Sequence, residues 1–182
     1  TVVHFAVDQD TVAMTTQLAG KETVFLPFNQ GSNGPGVDGG KGNQVNPVGP
    51  RTAYLWEVIW SREVWLGLFG SFIHVEVDKK AKTSTTVFPR YHQWDVVTRL
   101  LETTKVEGSG CNKLLQHSAG SGKSNSIAWL AHGLAQLHTS SDTAQVPAGM
   151  QANEPVFDKV VIVTDRVVLD RQLQATVSGF EH

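Results

Sequence analysis

Residues 116–124 read Gln116-His117-Ser118-Ala119-Gly120-Ser121-Gly122-Lys123-Ser124, a glycine-rich run that ends in a lysine and a serine. The glycines let the backbone turn tightly, so that several N–H donors face one anionic group. In loops of this composition the lysine, here Lys123, reaches the β- and γ-phosphates of a nucleotide, and the next hydroxyl, here Ser124, ligates Mg²⁺. The motif therefore predicts a site for a nucleoside triphosphate with Mg²⁺.

The residues on either side of this loop favour a strand before it and a helix after it. Lys113-Leu114-Leu115 is typical of a short buried strand. A helix that begins at the loop directs its N-terminus at the phosphates. The alternative is a tight turn with a solvated lysine, because the full pattern G-x-x-x-x-G-K-[ST] has glycine where this chain has His117. Apolar residues recur at helical spacing after the loop, at Ile127, Leu130, Ala131 and Leu134.

A second apolar run, Lys159-Val160-Val161-Ile162-Val163-Thr164, predicts a central strand of a parallel sheet, covered on both faces. Asp165 is expected to cap a helix after it. A strand, a loop and a helix followed by another strand and helix indicate an α/β fold, with a parallel sheet flanked by helices. Ligands of such sheets bind at the carboxyl ends of the strands.

The beginning of the chain is expected to differ in character. Residues 2–30 alternate short apolar runs with turns, which predicts two or three strands, the last at Val24-Phe25-Leu26. Residues 30–50 are rich in glycine and proline and almost lack large apolar side chains. Such a stretch cannot bury enough surface to order itself, so we expect an exposed loop or linker there.

Two helices and a strand are expected between residues 52 and 107. The strand is Phe72-Ile73-His74-Val75-Glu76-Val77, and the lysines that follow it favour a solvated turn over a contact with a phosphate backbone. Pro89 suits the first turn of the second helix. The first helix has one apolar face and a stop at Gly70, and its face consists of Leu55, Val58, Ile59, Trp65, Leu66 and Phe69.

Composition limits the class of protein. The chain has 182 residues, 40% of them hydrophobic and 18% charged, and a net charge of -2, so it carries no overall basic signature for nucleic acid. The lone Cys111 fits a reducing compartment, as a small buried residue. No apolar run is long enough to span a bilayer, and we expect a cytoplasmic protein. The chain starts without methionine inside an expected strand, which suggests a fragment.

Three segments, in this order, resemble the motor region of the R subunit of type I restriction enzymes. They are Phe88-Pro89-Arg90-Tyr91-His92-Gln93-Trp94, the loop at residues 116–124, and residues 161–173, which read VIVTDRVVLDRQL. Histidine at position 117 looks usual for this family. Upstream, four shorter stretches are similar to the part that the family places between its nuclease and its motor: Phe5-Ala6-Val7-Asp8, Met14-Thr15-Thr16, Leu26-Pro27-Phe28-Asn29 and Arg51-Thr52-Ala53-Tyr54-Leu55-Trp56-Glu57.

The resemblance implies an ATP-dependent translocase of duplex DNA, joined to a Mg²⁺-dependent nuclease and working with specificity and methylation subunits. It implies a RecA-like P-loop fold, with residues 1–50 as the tail of the nuclease region and the glycine-rich linker. Residues 51–87 would be a connecting helix and strand, and residues 88–182 the first part of the ATP-binding motor domain. The nuclease carboxylates and the acidic box of the motor would lie outside this chain, so we expect it neither to move nor to cut DNA by itself.

The resemblance also implies roles for single residues. Arg90 and Gln93 match the motif whose glutamine reads the adenine edge. Thr164, Asp165 and Arg166 fall at a motif near the DNA path, although a strand that ends in Asp is also typical of the Mg²⁺-associated carboxylate of other P-loop proteins, and simple helix capping remains open. The residues expected to hold ATP and Mg²⁺ are Gly120, Ser121, Gly122, Lys123 and Ser124, of which Lys123 and Ser124 would serve catalysis and Ser124 would bind the metal.

Two other functions are compatible with the same loop. One is a P-loop phosphotransferase that acts on a small molecule, which would need an acceptor pocket and a basic lid. The other is a nucleotide-binding interaction module, in which ATP orders the domain for a partner without turnover.

Overall fold

The chain divides into two compact units, Thr1–Asp95 and Val96–His182. In the computed structural model, residues 2–78, 82–164, 174, 176 and 177 are described. Within these residues, no helix is long and apolar enough to cross a membrane. The boundaries predicted at residues 50 and 87 stay predictions.

The first unit contains two small antiparallel sheets. One has the order β1-β2-β3, formed by His4–Val7, Val12–Thr15 and Leu26–Pro27, and the other pairs β4, His74–Asp78, with β5, Thr83–Val87. The Asp8 carboxylate closes the turn between β1 and β2, because its Oδ1 accepts hydrogen bonds from the N–H groups of Asp10 and Thr11, both at 2.7 Å. These bonds, first of all that from Thr11, lower the pKa of Asp8. The predicted strands near the start of the chain are confirmed, except that the last one, predicted at Val24-Phe25-Leu26, is formed by Leu26–Pro27.

Aromatic side chains form the core of the first unit. Phe28 is fully buried, and its ring lies 5.4 Å from that of Phe5 and 5.7 Å from that of Tyr91, both edge to face. The Tyr54 hydroxyl donates to the Phe28 carbonyl at 2.6 Å, and burial raises the pKa of this phenol. Phe28 therefore links the end of the first sheet to the chain segments that follow it.

The helical region after residue 52 is interrupted. Residues Leu55–Ile59 form a π-helical turn, Ser61 is extended with ψ 147°, and α1 then runs over Arg62–Ser71. The predicted apolar face is therefore wrong in its second half: Leu68 is buried, whereas Leu66 is 60% exposed. A periodicity of 3.6 residues holds only along one continuous helix, and the break at Ser61 shifts its phase.

The glycine-rich stretch is mostly exposed, as predicted, but it is anchored at Asn43. The Asn43 side chain is buried, accepts a hydrogen bond from the N–H of Gln30 at 2.8 Å, and donates to the Asp10 carbonyl and to Asn29 Oδ1, both at 2.9 Å. Asn29 Oδ1 in turn accepts from the N–H of β2 at Val12. The stretch is therefore held against the first sheet and is more than a linker.

We expect the change Asn43→Ala to lower the free energy of unfolding of the first unit by about 1–3 kcal/mol, because it leaves buried polar groups without partners. The matched control is Asn33→Ala in the same stretch, where the side chain is exposed and donates to the Asp38 carbonyl. Urea unfolding of both variants checks the difference. Equal stabilities would show that the Asn43 bonds do not hold the stretch.

The second unit includes most of α2, Tyr91–Glu107, which runs through the point of division, and α3, Lys123–Ala135. Both helices were predicted, although α2 begins two residues after Pro89. The buried face of α3 differs from the prediction, since Ala128 and Trp129 are buried while Ile127 is 37% exposed. The two helices approach closely, because a Cβ built at Gly133 would lie 2.6 Å from Leu101 Cδ1.

Substitution by alanine is expected to have opposite effects on stability at two helical glycines. Gly67 in α1 is exposed and a Cβ there meets nothing within 4 Å, so Gly67→Ala is expected to stabilise the chain by about 0.5–1 kcal/mol through helix propensity. At Gly133 a similar gain is offset by overpacking against Leu101, which costs about 1–3 kcal/mol. In thermal unfolding, the Tm of Gly67→Ala should therefore be higher than that of wild type, and the Tm of Gly133→Ala should be equal to it or lower. The reverse order would contradict this packing of α2 on α3.

The predicted RecA-like parallel sheet is wrong. The described residues contain strands only in the two antiparallel sheets, and residues 113–115 and 159–164 form no strand. Leu114 is 93% exposed and Val163 is 88% exposed, so neither run is covered. An apolar, β-branched run marks a buried strand only where neighbouring strands pair with it and helices cover it, and a run of residues cannot show whether those neighbours are present.

The prediction that Cys111 is buried is also wrong, since it is exposed. Its thiol interacts with Glu107, and this hydrogen bond raises the pKa of the thiol. Glu107 also accepts a hydrogen bond from the Lys113 amine at 2.5 Å. The thiolate form is therefore disfavoured at this position, although the charge of Lys113 acts in the opposite direction.

Candidate phosphate-binding site

The loop at residues 116–124 leads directly into α3. Gly120 and Gly122 have φ of 73° and 79°, and Gly122 is the left-handed N-cap of the helix. A Cβ at Gly120 would meet nothing within 4 Å, so glycine is needed there for its backbone conformation and not for space. The N-cap Gly122 has no side chain with which to cap α3, and its carbonyl accepts from the N–H groups of Asn125 and Ser126, at 3.1 and 3.4 Å. The N–H groups of Lys123 and Ser124, at the positive end of the helix dipole, are suited to bind an anion.

Lys123 lies at the first position of α3, and its side chain turns back over the loop. Its Nζ donates hydrogen bonds to the carbonyl of Ser118 at 2.8 Å and to that of His117 at 3.2 Å. Both bonds are exposed, so the ammonium group stays accessible from solvent. The loop thus closes around the ammonium group of Lys123, beside the positive end of the α3 dipole.

The two serines of the motif differ in their surroundings. Ser121 is 9% exposed, and Ser124 lies half-buried in the first turn of α3. Both flank Gly122, whose carbonyl accepts from the N–H of Asn125 at 3.1 Å and so starts the helix. The structure therefore brings together all five predicted phosphate-binding residues, at 120–124, in one turn of backbone.

No family model, curated protein or solved structure matches this chain. The resemblance to the R subunit of type I restriction enzymes accordingly stays a prediction. The geometry of the loop does not depend on it, because the contacts of Lys123 and the conformations of both glycines are properties of this chain alone.

Arg90 and Gln93, the predicted adenine-binding residues, lie in the first unit at the start of α2. Gln93 is buried, and its Oε1 accepts a hydrogen bond from the backbone N–H of Arg90 at 2.9 Å. A glutamine at the third helical position that bonds back to the N-cap N–H is half of a capping box. The sequence analysis missed this structural role, because Arg90 stands where the capping-box signature has Ser, Thr, Asp or Asn.

Of the three residues predicted to lie near DNA, only Thr164 is described. It is half-buried and belongs to no strand or helix. Asp165 and Arg166 lie outside the described residues. Their predicted roles therefore stay predictions.

Across residues 2–78, 82–164, 174, 176 and 177, no group of three or more His, Cys, Asp or Glu side chains is arranged to hold a metal ion. The metal predicted at Ser124 is of a different kind, because in a phosphate loop the nucleotide itself supplies ligands to Mg²⁺. A half-buried hydroxyl in the first turn of α3 fits that role.

Proposed function

We propose that residues 116–124 bind the phosphates of ATP together with Mg²⁺. The observation that carries the proposal is the position of the Lys123 amine, 2.8 Å from the carbonyl of Ser118 and held over the loop at the start of α3. The bonds to the carbonyls of His117 and Ser118 hold the ammonium group over the loop. The same two carbonyls place a positive charge where an anion meets the N–H groups of the helix.

The parts of the loop would act on different atoms of the nucleotide. The N–H groups of Lys123 and Ser124 at the start of α3 bind phosphate oxygens, and the Lys123 ammonium group neutralises the charge of the β- and γ-phosphates. The Ser124 hydroxyl offers Mg²⁺ one oxygen ligand. Positioning and charge neutralisation of this kind supply most of what a protein contributes to phosphoryl transfer.

We further propose that the chain is part of an R subunit of a type I restriction enzyme, an ATP-dependent translocase and endonuclease that acts on duplex DNA. The order of the motifs at residues 88–94, 116–124 and 161–173 supports this. In that setting Arg90 and Gln93 bind adenine. Residues near the DNA are Thr164, Asp165 and Arg166. The partners are specificity and methylation subunits, and the complex is cytoplasmic. The proposal rests on these motifs and on the loop.

Titration of a fluorescent ATP analogue into this chain, with and without Mg²⁺, tests the nucleotide site. We expect saturable binding that needs Mg²⁺ for full affinity and that unlabelled ATP reverses. AMP is the matched competitor, because it lacks the β- and γ-phosphates that Lys123 binds, and it should compete poorly. A folded chain that binds no analogue, or that prefers AMP, would overturn the phosphate site.

The restriction-enzyme assignment needs a separate test in the full-length protein that contains this chain. We expect ATP hydrolysis stimulated by duplex DNA, and loss of that stimulation when Lys123 is changed to alanine. Nucleotide binding without any hydrolysis would favour the interaction module, and transfer of phosphate to a small molecule would favour the phosphotransferase. Either result would exclude the translocase.

A further inference from the structure

A groove of about 430 Å³ lies in the first unit. The phosphate loop at residues 116–124 is distant from it in the sequence and belongs to the second unit. Strand β5 lines one side of it, and residues 14–26, which run from the end of β2 to β3, line the other. No motif of the sequence accounts for this groove.

The groove follows the edge of β5 and not its face. Three consecutive residues of the strand, Thr85, Thr86 and Val87, line it. Side chains of successive strand residues point to opposite faces of a sheet, so a groove over one face would be lined by every second residue only. In the described part of the chain β5 pairs with β4 alone. Every second residue of β5 consequently directs its N–H and C=O away from β4, along this edge.

The exposed area of the lining is mostly apolar, and its polar side chains carry hydroxyl groups, the amide of Gln17 and one charge. Met14 and Phe88 are buried in its floor, and Glu22 is the only charged residue that lines it. The Glu22 carboxylate is exposed and makes no ion pair among the described residues. A ligand that fits this lining is apolar along its length and carries one positive charge.

We propose that this groove binds an extended peptide segment, which pairs with the outer edge of β5 and places a lysine or arginine beside Glu22. Main-chain hydrogen bonds to an open strand edge hold such a segment, and the pockets beside the strand select its side chains. The edge supplies the main-chain donors and acceptors, the apolar floor receives alternate side chains, and Glu22 sets the sign of the charge. This function is separate from nucleotide binding and does not depend on it.

A labelled peptide tests the proposal with the whole chain. The probe is a fluorescein-labelled hexapeptide of alternating valine and threonine with one central lysine, and the readout is fluorescence anisotropy. We expect saturable binding, which is lost when alternate peptide nitrogens are N-methylated, because methylation removes the N–H groups that pair with β5. Replacing the lysine of the probe by glutamate should also weaken binding.

The change Glu22→Gln should weaken binding of the lysine probe by about two- to fivefold, the effect of one exposed ion pair. Glu57→Gln is the matched control, since Glu57 is exposed in the same unit and does not line the groove. The proposal is overturned if wild type shows no saturable binding, if the N-methylated probe binds as well as the parent, or if the two glutamine variants bind alike.

Discussion

The change Lys123→Ala is expected to weaken binding of the ATP analogue by about 10- to 100-fold. A hydrogen bond to a charged group contributes about 1.5–3 kcal/mol, and in the proposed site the ammonium group of Lys123 binds the phosphates. The substitution also removes the bonds to the carbonyls of His117 and Ser118. These carbonyls then face solvent, and the loop loses the contact that closes it around the cation.

Lys105→Ala is the matched control for this experiment. Lys105 is an exposed lysine in the last turn of α2, within the same compact unit, and its removal changes the net charge equally. Its variant should bind the analogue as wild type does. Circular dichroism of both variants checks that α3 remains folded. If the two alanine variants lose affinity to the same extent, the effect comes from overall charge and Lys123 has no special role.

The change Phe28→Ala is expected to lower the free energy of unfolding of the first unit by about 3–5 kcal/mol. Phe28 is fully buried and its ring contacts those of Phe5, Phe88 and Tyr91, so its removal leaves a cavity among rings that cannot all move to fill it. The loss approaches the entire stability of many small domains. A variant that fails to fold at room temperature would agree with this expectation.

Phe25→Ala provides the comparison, because Phe25 is 42% exposed and lies only three residues away. It should cost far less than Phe28→Ala. Urea unfolding followed by tryptophan fluorescence reports mainly on the first unit, since Trp56, Trp60, Trp65 and Trp94 lie there and only Trp129 lies in the second. Similar losses for both phenylalanines would place the core elsewhere.

Local patterns in the sequence predicted local structure well. Alternation of apolar residues gave the strands β1 and β2, and helical spacing gave α2 and α3. The errors arise where a pattern was extended beyond its range. The helical periodicity from residue 52 was continued through Ser61, whose extended backbone ends one helix and starts another in a different phase. Nothing in a 3.6-residue repeat reports such a break.

The parallel sheet failed for a different reason. Residues 159–164 have the composition of a central strand, but a strand is stable only through partners that pair with it from elsewhere in the chain. The composition of residues 159–164 shows that a strand there would need such partners, but it does not show whether the chain supplies them. In the structure Val161 is 80% exposed and forms no strand. A local sequence pattern therefore cannot predict the pairing between strands that are far apart in the chain.

The candidate site was predicted from the sequence because glycine, lysine and serine at this spacing are typical of loops that bind phosphate. The partners of Lys123 could not be predicted, since they are backbone carbonyls that every residue carries. Gln93 is a similar case. Its side chain accepts from the backbone N–H of Arg90, and Arg90 is not one of the residues that mark a capping box in a sequence.

Because the glycine-rich stretch is anchored at both ends, residues between the anchors can be changed without disturbing the first sheet. The stretch leaves the first sheet at Gln30, which Asn43 holds, and returns at Arg51, whose N–H donates to the Gln9 carbonyl at 3.0 Å. Both ends are thus fixed at the turn between β1 and β2. The cost of closing a loop grows only slowly with its length. Residues between Asn43 and Arg51 can therefore be added, removed or replaced by a tag or a fluorophore, while the hairpin keeps its register.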